Sequence, residues 1–417
     1  MEPTGSLREQ RGFSRFWTAE TVSGFGTAIT ALALQWLIVD TLHRGSEVTG
    51  MVNAARWLPY MIFGLLAGVI IDRMRRRPVL VITDLARGVL LVAIPLLALS
   101  GTLSVPTLII FMIIFGTMSV ANDAASQSIL PRLVARQQLP AANARLDQAA
   151  AVIQVGGPAL SGSLVKLITA PWAVLLDAVS YLVSAVLTLT VRVDEAIAER
   201  TPGGFAQLRR EAADGLRWVY RHRMLMPLAL NTNAWFICNS AAGAVLVPYV
   251  YQDLGFGAAA FGLLLAAGGV GALIGALFAV RLGAAFGAGR VIIIARAGYP
   301  IGWLLVAVCP AAGWQGWLIF GAAQFLLGLI GGAENTNEMA YRQMVTPDGL
   351  QGRTNAIMRS TNRSMIVFGA LAGGFLAAAI GERLVLWIVA AGFAVVALTL
   401  ALSPFRTATL ADAQDAG

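Results

Sequence analysis

The sequence predicts an all-α polytopic membrane protein of twelve transmembrane helices, arranged as two parallel six-helix bundles. Three observations lead there. Of the 417 residues, 57% are hydrophobic and 12% charged, with a mean hydropathy of +0.72, against about 25% charged residues in soluble domains. Apolar runs recur along the whole chain, at roughly one span plus short loop per 35 residues. The second half also repeats the first at a displacement of 212 residues. This composition excludes a soluble globular enzyme, a disordered chain and a disulfide-stapled module.

Spans are expected at 16–40, 49–71, 79–100, 104–126, 141–168 and 171–192, and again at 225–250, 258–281, 289–309, 314–338, 354–380 and 384–403. Gly, Pro or polar clusters such as Ser100-Gly101, Ala170-Pro171 and Cys309-Pro310 punctuate them. Ala31-Leu32-Ala33 in the first run resembles a cleavage site, but the apolar stretch exceeds the 7–15 residues of a signal-peptide core. A retained span is expected. The divisions are a first bundle over 1–192, a linker over 193–223 and a second bundle with a short tail over 224–417. The linker interleaves Arg209, Arg210, Arg217, Arg221 and Arg223 with Leu208, Leu216, Trp218 and Val219. It reads either as an amphipathic helix on an anionic leaflet or as a solvated connector.

With the N-terminus placed inside, 21 of the 30 basic residues fall in inner segments, three in outer loops and six within spans. Basic residues collect on the cytoplasmic side, so both termini are expected there, in a cell (inner or plasma) membrane. The net charge of +8 therefore reads as topology rather than nucleic-acid binding. All but one of the basic residues are Arg, the exception being Lys166, a bias that suggests a bacterial source. Cys238 and Cys309 lie in apolar runs, and no metal-ligand cluster or phosphate-cradling loop occurs. No metal, no cofactor and no enzymatic activity are expected.

The displacement of 212 pairs Asn143 with Asn355, Gly116 with Gly328, Gly157 with Gly369, Gly162 with Gly374, Glu20 with Thr232 and Thr27 with Asn239. Asn122-Asp123 falls on Glu334-Asn335, while Ala86-Arg87 meets Ala295-Arg296 at 209. Two halves of like orientation follow the parallel-repeat plan of secondary transporters. Chance alignment of Gly- and Ala-rich helices is the alternative, weakened by the polar matches.

The segment from Gly68 through Asp72, Arg73, Arg75, Arg76 and Arg77 joins the second and third spans. It resembles the Gly-x-x-x-Asp-Arg-x-Gly-Arg-Arg loop of the major facilitator superfamily, with Arg75 in place of the glycine before the Arg pair. With Asp84-Leu-Ala-Arg87 after it, the segment is similar to the drug-exporter branch that includes macrolide-efflux and enterobactin-exporter proteins. Gly157-Pro158-Ala-Leu-Ser161-Gly162 resembles the antiporter motif Gly-Pro-x-x-Gly-Gly, with Ser161 replacing a glycine. The proline would kink that helix and the small residues would form a close-packing face; ordinary packing is the alternative.

This resemblance implies a secondary transporter, a proton-coupled exporter of a moderately hydrophobic organic compound working by alternating access. It implies a conformational latch of Gly68, Asp72, Arg73, Arg76, Arg77, Asp84, Arg87 and Asp123. Asp72 would face the start of span eleven, and Arg76 or Arg77 would reach Asp123; a purely topological Arg run is the alternative. Partners would be a small molecule, protons and the bilayer, with no nucleic acid and a monomeric state. An uptake facilitator, a differently coupled carrier and a non-transporting scramblase or sensor stay open.

Charges within spans are costly, about 2.5–3.5 kcal/mol each near the centre, and so single out candidates. Glu20 shares a helical face with Ser23, Thr27 and Thr30, and first helices of each half line the cavity in the superfamily. Glu20, Glu334 and Glu338 are the proton-coupling candidates; Glu20 is alternatively a structural partner for an arginine. Thr27, Trp36, Thr232, Trp235, Asn239, Arg359 and Arg363 are the substrate-cavity candidates. The aromatics read equally as packing. Arg359 and Arg363 read equally as an interhelical ion pair with Glu334, Glu338 or Asp147.

Overall fold

The computed structural model describes residues 11–193, 204–311 and 313–408. Among these residues the regular structure is helical: α1 (Arg11–Trp36), α2 (Ser46–Asp72), α3 (Arg76–Leu99), α4 (Val105–Leu133), α5 (Leu139–Leu189), α6 (Gly204–Arg221), α7 (Leu225–Pro248), α8 (Ala258–Phe286), α9 (Ala288–Ala307), α10 (Trp314–Val345), α11 (Asp348–Ile380) and α12 (Glu382–Leu402). Ten helical runs are long and apolar enough to cross a membrane. The 54-residue run ending at Leu189 carries two of the expected spans, because α5 breaks at Thr169, where φ is 68° and ψ is 162°. With the 27-residue α2, these elements account for twelve crossings. The amphipathic α6 lies in the linker.

Helices run past the apolar stretches that mark them. α4 continues to Leu133 and stops where Val134 turns extended; α10 continues to Val345 and stops at the extended Thr346, whose successor is Pro347. The bilayer limits where apolar side chains are needed, whereas backbone geometry ends the helix.

The helices group into two compact units. One holds α1, most of α2, α3, α4 and α5, with α1 lying along α5 and α3 packed on α4 and α5. The other holds α6 to α12 together with Arg44–Ala54 at the start of α2. In this second unit α8 pairs with α10, α7 with α11 and α12, and α9 with α10 and α12.

The 212-residue repeat is written in the backbone. A π-helical turn closes α1 at Leu37–Thr41 and α7 at Tyr249–Asp253. Positive φ follows in both halves, 48° at His43 and 71° at Gly255. The break at Thr169 has its counterpart in Gly381, with φ of 89°. A Cβ on Gly116 would run into the carbonyl oxygen of Arg56, and one on Gly328 into that of Gly268. Every one of these correspondences is displaced by 212, so the two halves share helix ends and points of closest helix approach.

Candidate functional site

The first unit buries Arg87 of α3, and the second Arg296 of α9, among acids and hydroxyls. In the first, α3 places Asp84 and Arg87 one turn apart, and their side chains pair directly. Asp84 also accepts from Asn122 Nδ2 at 3.1 Å and from Ser184 Oγ at 2.7 Å. The Arg87 guanidinium lies 4.3 Å from the Tyr181 ring centroid and donates to its hydroxyl at 3.4 Å. Thr27 Oγ1 meets the same hydroxyl at 2.8 Å. Arg87 and Asp84 are buried, and a buried charge pair of this kind is tolerated because polar partners saturate it.

Glu20 projects from α1 toward α4, where Ser126 Oγ donates to its Oε1 at 3.1 Å. Among the described residues it has no cationic partner within 4 Å. Its hydrogen bond from Ser126 is a neutral one. Asp123 accepts from the Tyr60 hydroxyl at 2.9 Å. Arg77 donates to the Leu189 carbonyl oxygen at the end of α5, Arg76 is buried and Arg73 exposed. These contacts tie the start of α3 to its own unit. The side chains of Gly68 and Asp72 lie outside the described residues.

In the second unit the arginine is Arg296, on α9 and 1% exposed. Its Nε approaches Glu334 Oε1 at 2.6 Å, a charge contact without hydrogen-bond alignment, and its Nη2 lies 3.2 Å from Glu338 Oε2. Nη2 also donates to Thr232 Oγ1 at 3.0 Å. Arg342 reaches the other Glu338 oxygen at 3.5 Å. Trp235, Tyr299, Trp303 and Phe393 pack around this cluster, with Trp235 5.5 Å from Tyr299 and 6.2 Å from Phe393 between ring centroids. Arg296 lies 5.9 Å from the Trp235 ring.

The clusters are equivalent in place and exchanged in chemistry. Glu20 on α1 faces Ser126 on α4; at the 212-shifted positions Thr232 on α7 faces Glu338 on α10, with Thr232 Oγ1 3.4 Å from Glu338 Oε2. Arg87 takes its acid from its own helix and an amide from α4, Asn122. Arg296 has Ile293 where Arg87 has Asp84, and takes its acid from α10, where Glu334 replaces Asn122. A steric exchange accompanies these. Gly26 faces Ser180, whereas at the shifted positions Cys238 faces Gly392. Compensated exchanges of this kind follow from duplication, since each partner is constrained by the space and charge that the other supplies.

The other sequence candidates fall as follows. Trp36 is 5% exposed, Asn239 and Arg363 are half-buried and Arg359 is exposed. A Cβ on Gly157 would lie 2.9 Å from Ala28 Cβ, so this position sets the approach of α1 to α5. Gly162 is buried close by, and Pro158 continues the helix. Ser161 is fully buried and donates to the Gly157 carbonyl at 2.6 Å, which accommodates the hydroxyl where the antiporter motif has glycine. Sequence reasoning missed Arg296, Tyr181, Ser126 and Ser184 as site residues. The pairing of Arg296 with Arg87 was the available signal for the first.

A family profile described as transmembrane secretion effector matches residues 3–416. The chain belongs to this family of the major facilitator superfamily. It is 24% identical over 272 residues to the uncharacterized MFS-type transporter YvqJ of Bacillus subtilis, covering 64% of this chain and 63% of that one. It is 25% identical over 265 residues to the multidrug efflux pump Tap of Mycolicibacterium fortuitum, covering 62% and 64%. Each of these alignments therefore spans less than two thirds of the relative. The crystal structure of the nucleoside transporter NupG superposes with a TM-score of 0.75 at 12% identity, over 97% of this chain and all of that one, a likeness of fold. The family and these relatives are transporters, not enzymes.

Proposed function

We propose that this secretion-effector family member exports a moderately hydrophobic small organic molecule by alternating access, driven by protons returning through Glu20. The observation that carries this reading is the asymmetry in how the acids within the spans are held. Glu334 and Glu338 are held by Arg296 and Arg342, while Glu20 has a single hydroxyl donor. An acid that exchanges a proton during transport needs two charge states that the surroundings both accommodate. Glu20 meets that requirement, and the clamped pair serves to hold α7, α9 and α10 together. The likeness to a multidrug efflux pump supports export and a drug-like substrate class.

The loop before α3 acts as the inner latch. Arg77 fixes it to the first unit through the Leu189 carbonyl, which leaves Asp72 at the end of α2 as the acid that engages when the inner side closes. Both termini and the 193–223 linker face the cytoplasm, consistent with the arginine distribution.

Export is tested with everted membrane vesicles and a panel of fluorescent hydrophobic dyes. Vesicles bearing the protein should accumulate at least one dye when respiration acidifies the lumen and lose it on adding an uncoupler. Accumulation unaffected by the uncoupler contradicts proton coupling; accumulation in right-side-out vesicles alone contradicts export.

A further inference from the structure

The outward side of α6 carries a pocket that transport through the spans does not use. One side of this helix is covered within its own unit: Val219 is fully buried with Ala229 of α7 and Met358 of α11, and a Cβ on Gly215 would run into Ile357. Beside that packed face lies a pocket of about 340 Å³ lined by Asp214, Arg217, Trp218, Arg221, His222 and Leu350. Its volume falls within the roughly 300–1,000 Å³ of small-molecule sites.

Three of the six lining residues are charged. Among the described residues, Asp214, Arg217 and Arg221 make no ion pair within 4 Å, although Asp214 and Arg217 are one turn apart on α6. Trp218, 5.3 Å from the His222 ring, has a buried indole N–H with no acceptor. His222 Nδ1 accepts from the backbone N–H groups of Met224 and Leu225, both at 3.2 Å, which fixes the ring at the start of α7. The span of α7 begins at Leu225, three residues beyond His222 across the turn that joins α6 to α7. The pocket is therefore lined by residues that lead directly into a membrane-spanning helix.

We propose that this pocket binds a phosphate ester bearing a primary ammonium, as found in the phosphatidylethanolamine headgroup and in soluble phosphoethanolamine. Arg217 and Arg221 supply forked N–H donors that match phosphate oxygens. Asp214 accepts from the ammonium, and the Trp218 ring offers a face to the same cation. A phosphate without the amine leaves Asp214 facing like charge, and a trimethylated amine offers it no N–H. The charge pattern thus separates phosphatidylethanolamine from phosphatidylglycerol and phosphatidylcholine.

The test is native mass spectrometry of the purified, delipidated full chain, with each of the three lipids added in turn and phosphoethanolamine added in a separate arm. Wild type should retain phosphatidylethanolamine at least about tenfold more tightly than the Arg217→Gln/Arg221→Gln variant, the loss of two charge-assisted hydrogen bonds. Asp214→Asn should bind phosphatidylethanolamine and phosphatidylglycerol alike. Displacement of the lipid by phosphoethanolamine, with the same dependence on Arg217 and Arg221, supports the site with a soluble source. Lipid retention without such displacement supports it with a membrane source. Equal retention of all three lipids by wild type, or unchanged retention in the double variant, overturns the proposal. The substituted side chains border the packed face rather than belonging to it, so folding is retained and is checked by gel filtration.

Discussion

At the scale of single residues, the two units show how a buried charge is made tolerable. Arg87 has an acid on its own helix, an aromatic face and a hydroxyl, so removing it strands Asp84. Arg87→Met should destabilise the protein by about 3–5 kcal/mol, as expected for one partner of a buried pair, while Arg87→Met with Asp84→Leu should recover most of that loss. Thermal unfolding of the purified variants in detergent reads both; a double variant as unstable as the single one contradicts the pairing. Glu20 differs in kind. Ser126→Ala removes its one donor and is expected to alter the pH dependence of transport while leaving expression near wild type. An unchanged pH profile in vesicle uptake contradicts a working role for that hydrogen bond.

At the scale of elements, the duplicated halves act as controls for one another. Thr169 adopts a φ of 68° where its counterpart Gly381 has 89°, and β-branched residues reach that region only at a cost of about 1–3 kcal/mol. Thr169→Gly should therefore be neutral or stabilising and Gly381→Thr destabilising, measured as shifts in unfolding temperature. The opposite order contradicts the strain at the α5 break. The acid exchange supplies a second expectation. Glu334→Asn alone should destabilise the α9–α10 pair, and adding Ile293→Asp, which recreates the first half's arrangement, should restore stability.

The same elements show what the sequence could and could not yield. Hydropathy placed the spans, because lipid imposes a length on apolar runs, but it stopped α4 and α10 seven residues early, because a helix continues into water until the backbone turns. The repeat was legible because identical steric and polar positions recur at fixed spacing. Glu20, with Thr27 on the same face, was legible from one helix alone. Arg296 was not, because its acids come from a different helix and no local i,i+3 partner announces them. Arg359 and Arg363 stand out in the sequence as charges within a span, whereas the structure brings Arg296 and Arg342 to Glu334 and Glu338.

For the whole molecule, the fold and the family give a membrane transporter of the major facilitator superfamily. The latch reading predicts that Asp72→Asn lowers dye export several-fold with normal membrane insertion; full activity in the same vesicles contradicts it. The central claim is that a proton moving through Glu20 drives export. Its most direct test is flux in oriented proteoliposomes under an imposed pH gradient, compared with substrate exchange at equal pH on both sides. Glu20→Gln should lose the gradient-driven flux and keep the exchange. Gradient-driven flux of wild-type size in Glu20→Gln contradicts the account.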